Sequence, residues 1–184
     1  MNKKLLSTAL FAVIAATSIV TTAQASDGTI NITGKVVGQT CKVEGAAFGT
    51  PASKTVPLAL VLAPVLSAAG NTANKTAFSL NITGCDSALT TVQTQFSGTN
   101  IDATTGNLKL TGATPATNVQ IQLLNASSAV MPLNGASATA QNSQTVNLTA
   151  GAATMSYYAQ YIAVGGAAGV GLANSSVEFT MNYL

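Results

Sequence analysis

The side chains able to do chemistry are few, and the two cysteines come first. Cys41 and Cys85 stand far apart in a chain that contains no histidine. A zinc site or a redox pair would need a Cys-x-x-Cys spacing or histidine partners. Neither is present, so the pair reads as one structural disulfide if the chain enters an oxidising compartment. Such a bridge would close a loop of about 45 residues and contribute roughly 4 kcal/mol in the chain-entropy model. The remaining ionisable groups are equally uninviting for catalysis. With no histidine and no arginine, Ser-His-Asp and Cys-His nucleophile arrangements are excluded. The carboxylates Asp27, Glu44, Asp86, Asp102 and Glu178 lie in separate segments, with no motif pairing two of them for hydrolysis. Gly165-Gly166-Ala167-Ala168-Gly169 is not followed by a Lys-Ser/Thr pair and reads as a small-residue loop rather than a phosphate cradle. The expectation is no enzyme, no metal, no cofactor and no small-molecule substrate.

The compartment follows from the front of the chain. Lys3 and Lys4 precede an uncharged apolar run over residues 5–20, and Ala23-Gln24-Ala25 supplies a small-x-small cleavage signature. The run carries Ser7, Thr8, Thr17 and Ser18 and is short for a span of about 20 apolar residues. A signal peptide over residues 1–25 is therefore expected, with the mature chain starting at Ser26. Removing it also removes Lys3 and Lys4. Lys35, Lys42, Lys54, Lys75 and Lys109 then balance the five acids, and the mature chain is neutral. Its lysines are scattered, so nothing offers the clustered positive charge that nucleic acid requires. A surface dominated by Thr, Ser, Asn, Gln, Ala and Gly is weakly protected against association.

The elements that must position these residues are strands. In Gly28-Thr29-Ile30-Asn31-Ile32-Thr33-Gly34-Lys35-Val36-Val37, the residues Ile30, Ile32, Gly34 and Val36 share one face. Phe78, Leu80 and Ile82 alternate in the same way, ahead of the Gly84-Cys85-Asp86 turn. Val92, Thr94 and Phe96 follow, then Leu108 and Leu110, then Val119, Ile121 and Leu123. Met131 with Leu133, and Val146 with Leu148, make short pieces; residues 157–164 form a longer, mixed run. Val177, Phe179, Met181 and Tyr183 end the chain in clean alternation. Pro57 and Pro64 limit the Ala-rich stretch over residues 58–69 to a helical turn. Turn clusters such as Ser97-Gly98-Thr99-Asn100 and Asn134-Gly135-Ala136 separate the strands. Asn-x-Ser/Thr sequons at Asn31, Asn81 and Asn147 reflect the abundance of these residues. Tyr157, Tyr158 and Tyr161 read as core and inter-subunit packing rather than ligand stacking. The mature part, roughly 160 residues, suffices for one antiparallel sandwich with a sizeable core.

Strand material at both ends is unusual for a sandwich that should blunt its edges. Taken in order, these features resemble a pilin subunit of the chaperone–usher, type 1 fimbrial family. The resemblance rests on the Ala-x-Ala signal, the extension Ile30-x-Ile32-x-Gly34-x-Val36, Cys41, the Gly-Cys-Asp around Cys85, and the Tyr157-Tyr158-Ala159-Gln160-Tyr161 run. Gly171, fourteenth from the end, and the penultimate Tyr183 complete it. It implies an all-β, incomplete immunoglobulin-like sandwich lacking its last strand, over residues 39–184, behind an N-terminal donor-strand extension over residues 26–38. By that resemblance Ile30, Ile32 and Val36 would enter a neighbour's groove, with Gly34 at a shallow spot. Gly171, Val177, Phe179, Met181 and Tyr183 would line the groove and be recognised by a chaperone. The implied partners are other copies or related pilins in a filament, a periplasmic pilus chaperone and an outer-membrane usher. The destination would be the cell surface, where the fimbria supports adhesion. A major rod subunit is the favoured role. A minor adaptor or terminator of the same pilus is the alternative, and a receptor-binding adhesin fits less well because the chain has an extension and no room for a second domain.

Overall fold

The computed structural model describes residues 41–184. The expected signal peptide and the extension with Ile30, Ile32, Gly34 and Val36 lie outside the described residues. Among the described residues the chain is all-β, with eight strands and one short 3-10 turn. The strands are β1 (Lys42–Val43), β2 (Thr72–Thr83), β3 (Thr91–Ser97), β4 (Leu108–Lys109), β5 (Val119–Asn125), β6 (Val146–Asn147), β7 (Ala153–Ala163) and β8 (Glu178–Tyr183). They form a five-stranded sheet in the order β1-β2-β7-β5-β4 and a three-stranded sheet in the order β6-β3-β8. Every pairing within them is antiparallel.

Period-two alternation explains why these segments pair as they do. On β7, Met155, Tyr157, Ala159, Tyr161 and Ala163 are buried while the residues between them face outward. The β2–β7 register sets Leu80 opposite Met155 and Phe78 opposite Tyr157. The β5–β7 register sets Ile121 opposite Tyr161 and Leu123 opposite Ala159. One face of the larger sheet is therefore a continuous apolar layer. The smaller sheet meets it with Val92, Thr94 and Phe96, all buried. The Thr94 hydroxyl lies 3.1 Å from Met155 Sδ, and the Phe96 ring meets Tyr157 edge-on at 5.4 Å. Each fully buried large side chain contributes about 1.5–3 kcal/mol. Tyr158, on the opposite face of β7, lies under the Lys75 ammonium at 4.8 Å.

Two local features depart from the alternation read in the sequence. β5 is buried on both faces because Gln120 and Gln122 bond to Thr105 and Asn107 of the preceding loop. Met131 and Leu133 are buried but form no strand: one Leu124–Val130 bridge, isolated main-chain bonds and the side-chain amides of Gln141 and Asn142 tie that loop down instead of a ladder. The stretch over residues 58–69 holds one 3-10 turn, Ala63–Leu66, with Pro64 in its first positions. Cys41 and Cys85 are joined by a disulfide that ties the chain ahead of β1 to the turn after β2.

Candidate functional site

β8 pairs with β3 and, among the described residues, with no other strand. The ladder begins with reciprocal main-chain bonds between Thr91 and Leu184, at 3.1 and 3.0 Å. In an antiparallel pair only every second residue bonds to its partner. With Leu184 in phase, Asn182, Thr180 and Glu178 turn their main-chain groups toward β3. Val177, Phe179, Met181 and Tyr183 turn theirs toward the outer edge. The same alternation sends these four side chains inward, where they pack against the core. One set of residues thus presents apolar side chains and outward main-chain donors and acceptors.

Along that edge runs a groove of about 680 Å³. Its floor is apolar, made by Leu80, Phe96, Leu108, Ile121, Leu123 and Ala159 from both sheets. Val177 and Phe179 form one rim, and Ala52, Lys54, Val56 and Leu58 form the other. A second hollow of about 260 Å³ continues it beside Cys41, Val43, Met181 and Tyr183, and the two share Pro51, Ala52, Phe179 and Thr180. Together they follow β8 for about six residues, roughly 20 Å at strand rise. Burial raises the Tyr183 hydroxyl pKa, an effect the Cys41 main-chain amide partly offsets.

The groove suits an extended chain with apolar residues at alternate positions. Main-chain bonds would come from the β8 edge, and the floor would take side chains. It holds no nucleophile–base pair. Among the described residues no cluster of His, Cys, Asp and Glu could hold a metal ion.

Of the residues singled out in the sequence, Val177, Phe179, Met181 and Tyr183 come together along this groove. Gly171 lies apart from its lining, where a Cβ would come within 2.4 Å of the Ala116 amide nitrogen. Tyr157 and Tyr161 are in the core. The rim over residues 51–58 was not legible as part of the site. Its signal is the alternation of Val56 and Leu58 about Pro57, a residue compatible with an edge strand because it donates no ladder bond.

The family model for "Type-1 fimbrial protein, A" matches residues 58–184. The chain is 40% identical over 168 residues to the major fimbrial subunit SMF-1 of Stenotrophomonas maltophilia, covering 88% of this chain and 95% of that one. It is 40% identical over 166 residues to the F17 fimbrial protein of Escherichia coli, covering 86% and 88%. In fold it is similar to a chain from the structure of a chaperone–usher pilus. The TM-score is 0.60 at 18% identity, with 89% of this chain and 99% of that chain covered.

Proposed function

This chain belongs to the type-1 fimbrial protein family, as an exported, non-enzymatic subunit of chaperone–usher pili, and from that premise we propose that it is the major rod subunit and polymerises by donor-strand exchange. In this reading the extension over residues 26–38 of one copy lies in the groove of the next. Ile30, Ile32 and Val36 contact the apolar floor, and Gly34 passes a shallow point. Before assembly a periplasmic chaperone occupies the same edge, and the outer-membrane usher is where one strand replaces the other.

The observation that carries this reading is the groove along β8, where apolar side chains and outward main-chain groups belong to the same four residues. Three aliphatic side chains buried there stabilise a junction by roughly 5–9 kcal/mol. Main-chain bonds add on the order of 0.5–1.5 kcal/mol each. Donor and acceptor are different surfaces, so the contact is heterologous and extends into an open filament. The likeness to a relative named as a major subunit supports the rod role.

A mature form beginning at Gly38 is expected to bind the chaperone yet form no SDS-resistant ladder; ladders from that truncation would overturn the donor assignment. Ile32→Asp should likewise prevent incorporation, because it would bury an unpaired charge. Electron microscopy of cells lacking the gene tests the rod role, which predicts loss of the filament shaft.

A further inference from the structure

The rim opposite β8 belongs to neither sheet, and two side-chain attachments hold it. At one end Lys54 Nζ lies 2.7 Å from Glu44 Oε2. Glu44 Oε1 in turn accepts from the Asn81 amide of β2 at 2.6 Å. At the other end Asn74, on β2, donates through its side-chain amide to two successive carbonyls, Ala59 O at 2.8 Å and Leu60 O at 2.9 Å. The backbone of β2 is shaped for that second attachment. Its register with β7 slips by one residue between Ala73 and Thr76. Asn74 there has φ +54°, a left-handed conformation that asparagine tolerates better than most residues.

We infer that Asn74 is a positioning residue for strand capture: the bulge in β2 aims its amide at Ala59 and Leu60 and so fixes the far end of the rim, while the Glu44–Lys54 pair fixes the near end. Between the two attachments lie Val56 and Leu58, whose side chains line the groove. A rim held at both ends keeps those side chains at a set distance from Phe179 and Val177. A rim released at Leu60 would be ordered only when a strand arrives, and that ordering opposes binding. The rim's placement is a property of the described residues alone. Its effect on capture rests on the donor-strand reading.

The test refolds the full mature chain at high dilution, with and without an excess of a synthetic peptide of residues 28–37, so that the groove is not already filled by another copy's extension, and follows it by hydrogen exchange with mass spectrometry. Asn74→Gly keeps the left-handed backbone and deletes only the amide, so the bulge survives while the attachment is lost. Without peptide, Asn74→Gly should speed exchange over residues 55–62 and leave β5 and β7 unchanged; wild-type exchange over 55–62 would overturn the inference. With peptide, Asn74→Gly should bind roughly tenfold more weakly, the scale of one or two ordering hydrogen bonds. Equal affinity would show that the attachment does not govern capture. Lys54→Met should speed exchange near residue 54 but not near residue 60, separating the two ends. Wild-type chain that takes up no peptide would overturn the donor-strand reading, while the exchange comparison without peptide would still decide the placement of the rim.

Discussion

A single glutamine does the work of a missing strand on the far side of the smaller sheet. Gln141 is fully buried, accepts from the Phe96 amide at 2.9 Å and donates to Phe96 O at 2.8 Å. Its amide also reaches Leu133 O at 2.8 Å and Gly135 O at 3.0 Å. It thereby satisfies both main-chain groups of a residue whose ring forms part of the groove floor. Gln141→Leu would leave those groups without partners in a dry site and should destabilise the fold by about 2–4 kcal/mol in urea unfolding. Gly171 is constrained by space instead. A methyl there would meet the Pro115–Ala116 main chain, with Ala116 N at 2.4 Å and Pro115 C at 2.6 Å. Backbone cannot rotate aside as a side chain can, so Gly171→Ala should cost on the order of 1–3 kcal/mol and lower the melting temperature.

At the scale of elements, the rim over residues 51–58 depends on an ion pair, and its pH response has a definite sign. Burial raises the Glu44 pKa, but the hydrogen bonds from Lys54 and the Asn81 amide outweigh it and leave the carboxyl below its ordinary 4.5. A carboxylate whose folded pKa is depressed stabilises the fold above the unfolded value and loses that contribution as pH falls through the folded one. Stability and rim protection should therefore hold down to about pH 4.5 and decline below it. In Glu44→Gln the decline of rim protection in that window should be absent by hydrogen exchange. The strands were legible where alternation is strict: β3, β5 and β8 coincide with runs of alternating apolar residues, whereas β7 showed only as a longer mixed run over residues 157–164. Met131 and Leu133 had the same appearance of alternation, yet they are buried by loop packing, since two apolar residues cannot distinguish a strand from a tethered coil. The alternation of Val177, Phe179, Met181 and Tyr183 was visible in the sequence, whereas the opposite rim over residues 51–58 was not. Nothing local in Asn74, Glu44 or Lys54 signals that they meet residues 10 to 37 positions away.

For the whole molecule, the Cys41–Cys85 bridge joins residues separated by 44 positions and stands at one end of the groove. Replacing both cysteines by serine should remove about 4 kcal/mol by loop-entropy reasoning, read as a lower urea midpoint. The antiparallel ladder of β8 carries a further consequence for assembly. Its outward main-chain groups recur every second residue, as does the inward direction of its side chains. A strand added to this edge can slide only in steps of two residues, about 7 Å, because a slip of one would turn its apolar residues to water. On the donor-strand reading proposed above, spacing between joined copies would be quantised by backbone geometry. A surface rich in threonine, asparagine and alanine could then drift in sequence while the step from one copy to the next stayed constant.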